Sequence, residues 1–145
     1  MKKLWFLACL FLLGCQHTAK TPTQAYSFHM EASPFFPKEW THAFKTPESD
    51  VEYAVHTETL FDSNDIAAIN PIHTENGAAL LFSLPEGSQI KLLKLTAQNV
   101  GKKLLLIEKD KVVGFHFVEK PIGDGKLVVY MEVPDEQIQQ WAQSH

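Results

Sequence analysis

The sequence predicts an α+β domain, a mostly antiparallel sheet with helices packed on one face. Three observations carry this. Residues 104–107, 112–118 and 126–133 are apolar runs of strand length that follow one another closely, so they pair as an antiparallel meander. Just before them, Ile90, Leu93, Ala97 and Val100 recur at helical spacing. Just after them, Ile138, Trp141 and Ala142 share one side of a final helix.

Each element has its own warrant. Val51, Tyr53, Val55 and Thr57 alternate with Glu52, Ala54, His56 and Glu58, which reads as a half-buried strand. Asp62 or Ser63 then caps a short helix, with Asp65 three residues after Asp62, and Asn70-Pro71 ends it. Residues 78–84 are an apolar run between Gly77 and Pro85, the pattern of a buried strand. Ser88 is the predicted N-cap of the long helix, and Leu92 and Leu95 widen its apolar face. Gly101 supplies the left-handed position that stops it. Lys102 and Lys103 sit just past its end, where the helix dipole favours cations. Lys109-Asp110 and Asp124-Gly125 are the turns of the meander. Leu127, Val129, Met131 and Val133 share one face of its third strand, and Pro134-Asp135-Glu136 opens the last helix.

The start of the chain is of another kind. Lys2 and Lys3 precede an apolar run from Leu4 to Leu13, about half the roughly 20 residues that span a bilayer. That is the layout of a secretory signal. The Leu12-Leu13-Gly14-Cys15 that follows resembles the lipobox of bacterial lipoproteins, with an ordinary cleaved signal and a chance cysteine as the alternative. The resemblance implies cleavage before Cys15 and acylation of its thiol. The membrane is then a partner through the lipid on Cys15. Gln16 is not the aspartate that typically retains such proteins in the inner membrane, so the resemblance implies an outer-membrane location facing the periplasm.

The expected organisation is a signal at 1–14, a lipidated tether and aromatic arm at 15–50, and the α+β domain at 51–145. Residues 16–24 are polar and read as a flexible tether. Tyr26, Phe28, Phe35, Phe36, Trp40 and Phe44 then crowd a segment broken by Pro34 and Pro37. Two readings stand. The segment is an extended arm whose aromatics pack on the following domain, with one short helix near 38–44. Or it is an exposed patch in which Phe35, Phe36 and Trp40 bind a partner protein.

Composition narrows the function classes. All 13 basic residues are lysine, and loss of Lys2 and Lys3 with the signal takes the formal charge from −4 to −6. A chain without arginine and with net negative charge is a poor match for nucleic acid, so none is expected as a partner. Cys9 leaves with the signal and Cys15 is modified, so no thiol remains for a disulfide, a metal or nucleophilic chemistry.

At Leu95-Thr96 and Asn99-Val100-Gly101-Lys102, followed by a hydrophobic strand, Lys111-Val112-Val113 and Pro121-Ile122, the chain resembles the SecD/SecDF family of protein-export subunits. The similar part is the head subdomain of the first large periplasmic domain. Leu60, Asn64-Asp65-Ile66 and residues 77–82 fit the same pattern, and the likeness covers about residues 55–141. Asp110 stands where the family commonly has glycine, and Phe115-His116 where it has a small residue and proline. The resemblance implies the fold and a protein-binding role toward envelope or exported proteins. It does not imply the export motor, whose membrane helices and embedded carboxylates have no counterpart in the sequence. Asn99 to Lys102 also has a physical reading, a helix C-cap that fixes a tight corner, beside the alternative of a ligand contact.

No pattern of catalysis emerges, and the expectation is a protein that is not an enzyme and takes no cofactor. His17, His29, His42, His56, His73, His116 and His145 lack zinc-motif spacing. Cys15-Gln16-His17 would chelate copper or nickel only with a free amine, which acylation removes. Glu31, Glu39, Glu52, Glu58 and Asp62 form no recognisable acid–base pair. Ser88 follows Gly87 without the second glycine of a nucleophile elbow, and Gly123-Asp124-Gly125 reads as a turn rather than a phosphate loop. The leading expectation is a non-catalytic protein-binding module linked to export, acting through an apolar groove or a sheet edge. The alternative is a structural envelope-assembly lipoprotein with no role in export.

Overall fold

The computed structural model describes residues 25–47 and 49–145. The expected signal, Cys15, His17 and the tether at 16–24 lie outside the described residues. The described residues form nine strands and two α-helices: β1 (Tyr26–Met30), β2 (Thr41–Lys45), β3 (Glu52–His56), β4 (Phe61–Asp62), β5 (Ala68–Thr74), β6 (Gly77–Ser83), α1 (Glu86–Gln98), β7 (Lys103–Glu108), β8 (Lys111–Phe117), β9 (Lys126–Met131) and α2 (Asp135–Ser144). Seven strands lie side by side in the order β4-β1-β7-β8-β9-β6-β5. All these neighbours are antiparallel. The β2–β3 hairpin joins them through one parallel bridge, Lys45 to Lys111.

Strand alternation divides the apolar residues between two faces. Phe28 and Met30 of β1, Leu104 and Leu106 of β7, Leu127 and Val129 of β9, and Leu80 and Phe82 of β6 meet Leu92 of α1 and Ile138 and Trp141 of α2 in the main core. Phe28 and Phe82 meet edge-on at 5.2 Å, and Trp141 stacks on His145 at 4.0 Å. Glu108 accepts the Trp141 Nε1–H at 3.0 Å and pairs with His145 Nε2 at 2.8 Å, which fixes the end of α2 on β7. On the opposite face, Leu105, Ile107 and Val112 pack under Val55, Phe44 and Tyr53 of the β2–β3 hairpin. A register shift between Leu106 and Ile107 lets Val113 and Phe115, two positions apart on β8, serve different cores.

The expected α+β architecture, meander and helix-covered face are all present. Three local expectations are corrected. Residues 26–30 are not an arm laid on the domain but an interior strand, paired with β4 on one side and β7 on the other. Tyr26, Phe28 and Met30 are buried because they alternate onto the helix-covered face. Asn70-Pro71 does not end a helix. Asp62 caps a single 3-10 turn at Ser63–Asp65 with a capping box, and Asn70-Pro71 then lies within β5. β5 is an edge strand, where proline removes no ladder bond that a neighbour needs. The long helix begins at Glu86 rather than beyond Ser88, whose N–H already bonds Pro85 O at 2.9 Å.

Candidate functional site

The fourth correction concerns which side of α1 faces inward, and it creates the principal surface feature. Leu92 and Thr96 are the buried positions of α1, with Leu95 packed beside them. The predicted inner stripe points outward instead: Ile90 is 65% exposed, Leu93 40% and Val100 52%, and Ala97 is exposed between them. Two apolar stripes on one helix mean that only one is consumed by the core. Thr96 settles the choice. Its fully buried Oγ1 donates to Leu92 O at 2.8 Å and accepts the Ile122 N–H at 2.9 Å, so the helix is keyed to the loop after β8.

That loop leads to a cleft of about 960 Å³. The cleft opens because β8 and β9 are paired only at Gly114–Met131 and Phe115–Tyr130 and then part company. Gly114 permits the close approach at the junction, since a Cβ there would stand 2.9 Å from Tyr130 O and from Val129 Cγ1. Phe115, Phe117, Ile122, Val128 and Tyr130 give the cleft its apolar lining, and Glu119, Asp124, Glu132 and Asp135 outnumber Lys120 and Lys126 among its charges. A methyl at Gly123 would touch Leu93 Cδ1 at 3.8 Å, so the outward stripe of α1 adjoins the cleft wall.

Two titratable groups of the cleft are shifted. His116 bridges the parted strands, its Nδ1–H donating to Val128 O at 2.7 Å. Burial holds its pKa below the usual 6.5 against the opposing pull of that carbonyl and of Glu119. Tyr130 is held below 10.0 by side-chain hydrogen bonds, first from Thr74 and then from Asn76. Among the described residues no cluster of three His, Cys, Asp or Glu side chains could hold a metal ion, and no helix is long and apolar enough to cross a membrane.

The sequence-predicted aromatic residues lie elsewhere, on the connection between β1 and β2. Phe36 and Trp40 are brought together with ring centroids 6.3 Å apart, and Phe36 meets His56 edge-on at 4.5 Å. Phe35 is 95% exposed and Trp40 63%. A 3-10 turn at Lys38–Trp40 shapes this connection, in place of the helix expected near 38–44. Cys15 lies outside the described residues. The α1 stripe was in the sequence but assigned to the core, and no local signal marks the cleft, because it arises from the divergence of two strands.

Asn99 to Lys102 forms the expected corner. Gly101 sits at φ 86°, Asn99 Nδ2 donates to Leu95 O at 2.9 Å, and the Gly101 N–H bonds Val118 O at 2.8 Å. With fold and surface described, the solved structures give the comparison. SecDF in a super-membrane-facing form matches with a TM-score of 0.62 at 16% identity, over 84% of this chain and 18% of that one. A second structure, of SecDF described as a membrane component that enhances protein export, matches with a TM-score of 0.58 at 16% identity, over 84% of this chain and 61% of that one. The chain has the fold of a SecDF periplasmic domain, consistent with the head-like domain expected from the sequence. It spans 18% and 61% of the length of the two chains it matches. No family model matches the chain, and no curated protein matches it.

Proposed function

We propose that this chain is an envelope lipoprotein, held at the outer membrane through lipid on Cys15, whose SecDF-like domain is a non-catalytic protein-binding module linked to export. The observation that carries the reading is the exposed apolar set Ile90, Leu93 and Ala97 of α1, with Val100 just past its end, unused by the core and meeting the cleft where Leu93 adjoins Gly123. Contiguous exposed apolar surface of this kind marks interaction sites. The fold shared with SecDF supplies the link to export. At the two ends of the seven-strand row a groove fits better than an edge, because β5 carries Pro71 and β4 is two residues long.

The test is in-cell crosslinking of the full lipoprotein and mass spectrometry of what co-purifies, beside an Ile90→Glu, Leu93→Glu variant. Both positions face solvent, so the variant folds. Recovery of export-channel subunits or a spread of unfolded precursors from the wild type, lost from the variant, is the expected result. A single stoichiometric envelope protein with no export component would replace the export link with an assembly role. Equal recovery from both chains would reject the stripe as the binding surface.

A further inference from the structure

The connection between β1 and β2 holds Phe35, Phe36 and Trp40 at the surface in a loop of tight turns. Pro34 and Pro37 carry no N–H. The three aromatic residues have theirs satisfied inside the loop: Phe35 N–H to Ser33 Oγ at 3.4 Å, Phe36 N–H to Ser33 O at 2.9 Å, and Trp40 N–H to Pro37 O at 3.1 Å. Such bonds are common to turns in water too, and here they lower the number of free donors that a lipid interface would desolvate. The side chains fit the same setting. Phe35 and Trp40 project from the loop, tryptophan favours the interface between headgroups and acyl chains, and Lys38 and Glu39 on the same turn are exposed polar groups suited to the headgroup layer.

We propose that Phe35 and Trp40 insert into a lipid surface as a second, shallow membrane contact of this chain, with Phe36 packed on His56 as their support. The proposal rests on the lipid-anchor reading for proximity, and the covalent geometry permits it. Cys15 lies 11 residues before Tyr26, a reach of roughly 35–40 Å when extended. β1 itself, five residues long, separates the tether from the aromatic loop by only about 17 Å. The loop therefore reaches the surface that holds the lipid, and the two contacts together fix the domain's orientation.

The test uses the full lipoprotein reconstituted in vesicles of phosphatidylethanolamine and phosphatidylglycerol with brominated acyl chains, which quench tryptophan at short range. The difference between wild type and Trp40→Phe isolates Trp40, and Trp141 in the core serves as the internal reference. The expected result is quenching of the Trp40 contribution by brominated lipid, with loss of that quenching in Phe35→Ser. Vesicle flotation scores the anchor separately. Protein that floats with Trp40 unquenched by lipid and open to an aqueous quencher would overturn the insertion while leaving the anchor intact. Protein that fails to float would overturn both. Shielding of Trp40 only on addition of a protein partner would overturn the lipid assignment.

Discussion

Thr96→Val is the sharpest test of how α1 is set on the sheet. The substitution keeps the branched shape and removes one oxygen. That oxygen is fully buried and is the acceptor for the Ile122 N–H at 2.9 Å. Leaving an amide of this kind without a partner costs about 1–3 kcal/mol. The added methyl recovers about 0.8 kcal/mol through apolar burial. The donor bond to Leu92 O contributes little, because that carbonyl already serves the helix. The net expectation is a loss of about 0.2–2 kcal/mol. Thr96→Ser, which keeps the oxygen and drops a methyl, loses about 0.8 kcal/mol. Urea unfolding followed by circular dichroism reads the difference: with a slope of about 1–3 kcal/mol per molar, the midpoint falls by up to about 1 M in Thr96→Val with the slope unchanged. Wild-type stability in Thr96→Val beside a clear loss in Thr96→Ser would refute the reasoning, since methyl packing and not the Ile122 amide would then be what Thr96 supplies.

Four further outcomes follow from the same geometry. Gly114→Ala should lose about 1–3 kcal/mol on urea unfolding, because the new Cβ meets a backbone carbonyl that moves only with β9. His116, whose folded pKa lies below 6.5, binds its proton more readily unfolded; stability should be full above that value and fall as pH drops through it toward the folded pKa. A His116→Gln chain should show a smaller change in urea midpoint between about pH 7.5 and about pH 5.5. Tyr26 is pushed up to about 12 by burial and then by Asp62, so its phenol should ionise after Tyr130 in an ultraviolet titration, and its share of stability should fade as pH rises from 10.0 through about 12. Asp62→Ala should cost about 1 kcal/mol by thermal melting, through loss of the bonds that cap the 3-10 turn.

What the sequence made legible was whatever local chemistry decides. Lys109 and Asp110 adopt φ 48° and 59°, and Gly101 and Gly125 are left-handed, where turn and cap residues had marked the chain. The capping residue Asp62 was readable from its partner Asp65 three positions on. β1 carried a signal too: Tyr26, Phe28 and Met30 alternate with Ser27 and His29, although the nearby prolines suggested an arm. The face of α1 was not legible in the same way. Ile90, Leu93, Ala97 and Val100 make as regular a stripe as Leu92, Leu95 and Thr96. Tertiary contacts distinguish them: the core packing of Leu92 and the bond from Ile122 to the buried Thr96 hydroxyl. Exposure of Phe35 and Trp40 follows from a loop that packs Phe36 on His56 and turns its neighbours outward, a contact between residues 20 apart.

The place of β1 in the sheet has a consequence for the order in which the chain gains structure. Its residues are synthesised ahead of every other described strand, yet Tyr26 pairs with Glu108 and Met30 with Leu104. No local partner exists for them, since β4 contributes only two residues to the other side. Wherever the chain emerges amino end first, Tyr26, Phe28 and Met30 wait uncovered until β7 has followed, and the sheet closes by threading its earliest segment between later ones. Such long-range closure is slow compared with formation of the β5–β6 and β7–β8 hairpins. The first-made strand is therefore secured only once β7 exists, and until then its apolar residues leave the nascent chain open to aggregation or capture.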